Sequence, residues 1–216
     1  MNISGFFAPY EDLADRLIRE AIGPSTDASH DLSHVKRVWK NVRDISAQEG
    51  GAGDILIAAT VLHDCVEVPK DSPTRSMASR LSAEKALRHL DQFGWSEDKA
   101  MSVAHAIEAH SFSAGIMPRT LEAKILQDAD RLDAIGYVGI ARCFYVSGRL
   151  HRELYDSDDP QAAARALDDS RFALDHFQTK LLKLAGSFQT ETGRAFAQDR
   201  HSIVEGFMKG LIAEVS

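Results

Sequence analysis

Apolar residues recur every three to four positions along most of this chain, and no run alternates apolar and polar residues between turns. The pattern predicts helices throughout and no sheet. A short helix is expected over residues 10–22, stopped by Gly23-Pro24. A second covers residues 29–49, with Val35, Val38, Trp39, Val42 and Ile45 at helical spacing and Gly50-Gly51 ending it. A third is expected over residues 55–67, with Asp54 as its cap. Its sequence ILIAATVL is apolar nearly all round, which marks a central buried helix. Pro69 closes that segment. After a loop to Ser76, a fourth helix runs to Phe93 and a fifth from Ser96 to His110. The next carries Leu121, Ile125, Ala129 and Leu132, with Gly136 and Gly139 permitting a bend or close packing. Asp159-Pro160 reads as a cap followed by proline at the first helical position, opening a long helix that ends near Gly186. A last helix is expected over residues 192–213.

The fold class is therefore all-α. No internal repeat or low-complexity linker interrupts the pattern. One domain over residues 1–216 is expected, its core at about residues 20–150 and its C-terminal helices, about 160–216, packed on that core. Any boundary would fall near residues 157–159. The 216 residues are enough to bury a sizeable core.

Charge narrows the partners. Lys and Arg number 25 and Asp and Glu 32, a formal net charge of −7. That opposes a nucleic-acid or membrane-surface role, which needs a basic face. It leaves room for a small anionic substrate beside a local basic cluster. Cys65 and Cys143 sit in apolar surroundings and read as reduced thiols. No signal peptide or membrane span is recognisable, so a cytoplasmic protein is expected, as a monomer or homodimer.

The most informative segment is Leu62-His63-Asp64-Cys65-Val66-Glu67. It ends a hydrophobic helix with a His-Asp pair, and a carboxylate there is costly unless compensated. A divalent cation compensates well. Neighbouring helix positions are about 100° apart, so both side chains can meet at one point beside the helix. Alone, the dipeptide would read as a helix-end carboxylate and a partly exposed imidazole. It is not alone: His34 lies upstream in HDLSHVKRV and Asp130 downstream in DADRLD. Three helices thus offer two imidazoles and two carboxylates. That donor set suits Mn²⁺ or Fe²⁺, with Mg²⁺, Co²⁺, Ni²⁺ and Zn²⁺ less favoured.

The order His34, His63-Asp64, Asp130 resembles the HD-domain superfamily of metal-dependent phosphohydrolases. HDLSHVKRVW, LHDCVEVPKDSP, HAIEAHSFSAG and ILQDADRLDAIGYVGIAR are similar to its small bacterial branch. The resemblance covers roughly residues 20–150 and extends more weakly to residues 192–201. It implies an HD-domain helical bundle with additional C-terminal helices and one divalent metal ion, Mn²⁺ favoured. It also implies hydrolysis of a phosphate ester or anhydride of a nucleotide or other small phosphorylated metabolite. Nucleoside triphosphate pyrophosphohydrolysis is one concrete form.

Glu67, four residues after His63 and so on the same helix face, is the candidate general acid or base. Guanosine-tetraphosphate hydrolases of the HD type also carry a Glu here, but continue Glu-Asp where this chain has Glu67-Val68. Lys70 in the following loop and Arg37, one turn beyond His34, are candidate phosphate contacts, and Arg75 is a weaker one. Each also reads as ordinary surface charge. His30 shares a face with His34 and is a further substrate contact. Only one of His105 and His110 can face the site, and the resemblance favours His110. Asp133 is placed as a partner of the ligand shell. Two other functions remain open: a non-catalytic nucleotide-binding regulatory module, and a dinuclear iron oxygenase of the same superfamily.

Overall fold

In the computed structural model, residues 4–21, 32–68, 72, 74–111 and 114–215 are described. They form helices joined by turns and short loops, as the sequence pattern predicts. The chain divides into two compact units, Met1–Asp130 and Arg131–Ser216.

The first unit is built around its most apolar helix. In order it contains α1 (Glu11–Ala21), α2 (Leu32–Glu49), α3 (Gly53–Leu62), α4 (Ala78–Gln92), α5 (Glu97–His110) and most of α6 (Leu121–Asp133). Every residue of α3 from Ile55 to Leu62 is buried, and α1, α2, α4 and α5 surround it. Burial on all sides explains why this helix carries no polar stripe. Its start differs from the expected one. Ala52 occupies the cap position, and Gly53 opens the helix because a Cβ there would lie within 1.9 Å of the Tyr10 hydroxyl. Asp54 sits inside the first turn, where the helix dipole favours a carboxylate, and binds Lys99 at 2.7 Å.

The end of α3 differs more consequentially. The helix stops at Leu62, not at Glu67. The amide of Cys65 bonds the Leu62 carbonyl at 3.1 Å, a tight turn, and the amide of Val66 turns away to the Ser82 hydroxyl at 3.2 Å. His63 and Asp64 therefore occupy a turn at the end of the central helix.

The second unit holds the end of α6, then α7 (Gly136–Arg149), a π-helical turn (Phe177–Leu181) running into α8 (Leu182–Leu184), and α9 (Glu191–Val215). Phe144, Phe177 and Phe207 bring α7, the π-turn and α9 together, with ring centroids 5.8 to 5.9 Å apart. The chain breaks between α6 and α7 at Ala134-Ile135, and Gly136 follows with φ +72°. The left-handed region costs a residue with a Cβ about 1–2 kcal/mol. Here the added Cβ would also meet the Arg200 side chain at 3.2 Å. Gly136→Ala is accordingly expected to lower stability by about 1–2 kcal/mol, measured as a lower urea midpoint.

Of the long helix expected from Asp159-Pro160 to near Gly186, only the last part forms, from residue 175 onward. Residues 150–174 form turns, joined by one isolated parallel bridge between Glu153 and Phe172. Asp159 does accept backbone amides, but from Ala163 and Ala164, four and five residues on. A helix cap accepts from the second or third helical residue, so this is a loop closure. The Arg165 guanidinium holds both oxygens of the buried Asp175 at 2.6 and 2.9 Å. That paired, desolvated carboxylate commits the alanine-rich stretch to a loop despite its helical propensity.

Candidate metal centre

Four helices of the first unit deliver side chains to one point. His34 comes from the first full turn of α2, with Val35 and Val38 buried beside it. His63 and Asp64 come from the turn closing α3. His110 is the last residue of α5, and Asp130 lies near the end of α6. His34 and His63 are fully buried and His110 nearly so, while the two carboxylates keep some solvent access.

The donor atoms are close together. His34 Nε2 lies 3.0 Å from His63 Nε2 and 3.5 Å from Asp130 Oδ1. The Asp64 carboxylate is 3.6 Å from His63 Nε2, 3.9 Å from His34 Nε2 and 3.6 Å from His110 Nε2. Two overlapping groups could each hold a metal ion: His34, His63 and Asp130; and His63, Asp64 and His110.

The backbone orients two of the rings. His63 Nδ1 donates to the Thr60 carbonyl at 2.7 Å, and His110 Nδ1 donates to the Ile107 carbonyl at 2.6 Å. With hydrogen on Nδ1, each Nε2 presents a lone pair inward, the arrangement metal-binding imidazoles adopt. Burial lowers the pKa of His63 to about 4, against the pull of Asp64, so this imidazole is neutral at pH 7. For His110 burial also opposes charge, but the Asp64 hydrogen bond and the Asp64 and Asp130 charges outweigh it and raise its pKa. Burial likewise opposes ionisation of Asp130, yet His110, His34 and His63 hold its carboxyl below the ordinary range. Two carboxylates converge on the neutral His63 imidazole and its neighbours, a concentration of negative charge that a divalent cation compensates. The residues present thus fit a divalent ion by donor type, ring orientation and charge.

Amide side chains fix the neighbouring backbone. Asn41, seven residues along α2 from His34, donates to the Ala129 carbonyl at 2.9 Å, next to Asp130. Gln127 donates to the Ala109 carbonyl at 2.6 Å, next to His110. Neither tie is signalled by the sequence, because each joins residues far apart along the chain.

The structure treats the other expected residues unequally. Glu67 lies beyond α3, exposed, so the helical spacing from His63 does not apply to it. Arg37 is half-buried on α2, one turn after His34. His30 and Lys70, and the side chain of Arg75, lie outside the described residues. Within its own unit, Asp133 is buried and paired with Arg142 at 2.7 Å. His105 faces away: its Nε2 accepts the Arg119 amide at 2.9 Å. Both cysteines are free thiols, as expected. Among the described residues, no helix is long and apolar enough to cross a membrane.

Known proteins resemble this chain in sequence and in fold. The profile of the HD domain family matches residues 31–135, which contain all five clustered side chains. The YpgQ protein of Bacillus subtilis (strain 168) is 32% identical over 200 residues, covering 91% of this chain and 89% of YpgQ. The crystal structure of YpgQ in complex with ADP superposes with a TM-score of 0.70 at 30% identity, covering 94% of this chain and 96% of that one. An HD-superfamily hydrolase from Bacillus thuringiensis superposes with a TM-score of 0.67 at 31% identity, covering 94% and 93%.

Proposed function

This chain belongs to the HD-domain family, and on that premise we propose that it is a metal-dependent phosphohydrolase acting on a nucleotide or another small phosphorylated metabolite. His34, His63, Asp64 and Asp130 would hold the ion. The observation that carries the proposal is the 3.0 Å separation of the His34 and His63 Nε2 atoms, with His63 tied through Nδ1. Two imidazole nitrogens and two carboxylates suit Mn²⁺ first, with Fe²⁺, Mg²⁺, Co²⁺, Ni²⁺ or Zn²⁺ behind it.

A divalent ion lowers the pKa of a bound water and polarises a phosphoryl oxygen. The chain's own residues supply the rest. His110, whose Nε2 points at Asp64, donates to a phosphoryl oxygen when protonated. Glu67, in the loop leaving the His-Asp turn, handles the proton of the attacking water. Arg37, Lys70 and His30 contact phosphate oxygens, since phosphoryl transfer depends mainly on positioning and charge neutralisation. Asp133, through Arg142, steadies the end of α6. ADP bound to YpgQ supports a nucleotide substrate, and nucleoside triphosphate pyrophosphohydrolysis is the finer reading. The whole chain acts as one domain in this proposal.

A phosphate- and pyrophosphate-release screen tests it, with metal-free protein reloaded with Mn²⁺, Mg²⁺, Co²⁺ or Ni²⁺ and offered nucleotides, cyclic nucleotides and sugar phosphates. Metal-dependent turnover is expected. Folded, metal-binding protein inert to the whole panel would overturn hydrolysis and favour a nucleotide-binding module. Metal also feeds into stability. At a concentration 100 times its Kd, a ligand adds about 2.7 kcal/mol, roughly 5–11 °C in Tm for a chain of this size. Chelation is expected to remove that increment, read by calorimetry.

A further inference from the structure

The turn that carries His63 and Asp64 leaves the central helix at Leu62, so its following backbone has lost helical partners. Three contacts from one short stretch of α4 supply them. Lys85 Nζ donates to the Cys65 carbonyl at 3.0 Å. The Ser82 hydroxyl accepts the Val66 amide at 3.2 Å. The Ser82 carbonyl faces the Cys65 thiol at 3.5 Å. Ser82 and Lys85 are three residues apart and so share a face of α4. Ser82 is fully buried and Lys85 half-buried. Their contacts fall on the two residues immediately after Asp64. Neither side chain belongs to a candidate ligand group.

We infer that Ser82 and Lys85 are positioning residues for Asp64: they clamp the Cys65-Val66 backbone and thereby set where the Asp64 carboxylate meets the ion. This rests on the metal-centre reading above. A turn held only by the Cys65–Leu62 hydrogen bond could rotate, and the Asp64 carboxylate's contacts with His34, His63 and His110 would become mobile. The lysine also places a cation at the carbonyl end of α3, where the helix dipole favours it.

The test measures Mn²⁺ affinity of the full chain by isothermal titration calorimetry, with the Tm of each metal-free protein beside it. Outer-shell partners of metal ligands typically contribute 10–100-fold in affinity. Lys85→Met is expected to weaken Mn²⁺ binding by about 10–100-fold and Ser82→Ala by about 10-fold, with metal-free Tm shifted by no more than about 4 °C. Lys85→Arg, which can still donate to the Cys65 carbonyl, is expected to recover most of the affinity. A purely structural role would lower Tm and leave Mn²⁺ affinity unchanged. Wild-type affinity in both Lys85→Met and Ser82→Ala, or Lys85→Arg as weak as Lys85→Met, overturns the clamp. Wild-type protein that binds no divalent ion overturns the metal-centre reading instead, so the two failures are distinguishable.

Discussion

Asp64→Ala is expected to lower metal-dependent phosphate or pyrophosphate release by about 10³-fold or more while leaving the metal-free protein folded. Asp64 contributes a carboxylate whose oxygens reach His34, His63 and His110, so its loss strips the site of half its negative charge. Charge stabilisation by a catalytic metal amounts to several kcal/mol, and each 1.36 kcal/mol is a factor of about ten in rate. The fold does not depend on this side chain in the same way. Asp64 is partly exposed, sits in a turn and fills no core volume. Its removal should therefore leave the metal-free Tm within a few degrees of wild type, and the Tm rise on adding Mn²⁺ should vanish. Rate and melting measurements on the same preparation check both parts. A variant that keeps more than a tenth of wild-type turnover contradicts the role assigned to Asp64.

Leu62→Ala is expected to have the largest effect on stability. Leu62 is fully buried as the last residue of the central helix and directly precedes His63. Large-to-small changes at such positions cost about 2–5 kcal/mol, the transfer term plus the cavity. Typical domains hold about 5–15 kcal/mol in total, so the loss is a large fraction of it. The cavity would also loosen the residue next to the His-Asp turn, so Mn²⁺ affinity should fall as well. Urea unfolding should show a lower midpoint with an unchanged m-value. A loss below about 1 kcal/mol would mean that neighbouring helices fill the space, contrary to the close packing around α3.

The sequence made the helices and the buried core of α3 legible because periodicity reports burial directly. It also exposed His34, His63, Asp64 and Asp130, since ionisable groups on the apolar faces or at the ends of helices are conspicuous. What it concealed was long-range. The turn after Leu62 is tied at Cys65 and Val66 by Ser82 and Lys85 of α4, which no local pattern announces. That is why Glu67 appeared to share a helix face with His63 and does not. His110 was singled out as a substrate contact by resemblance, not by spacing; its proximity to Asp64 depends on how α5 packs against α3. Residues 160–174 have helical propensity and a capping aspartate, yet the Arg165–Asp175 pair holds them as a loop. In each case a tertiary contact outweighed a local preference of a kcal/mol or less per residue.

The central claim is that the His34, His63, Asp64 and Asp130 cluster holds one divalent ion. Equilibrium dialysis of metal-free protein against Mn²⁺, read by elemental mass spectrometry, tests it most directly, with a His63→Ala, Asp64→Ala double variant alongside. One Mn²⁺ per wild-type chain and none in the folded double variant is the predicted result. No bound metal in the wild type, or equal binding in the double variant, would contradict it.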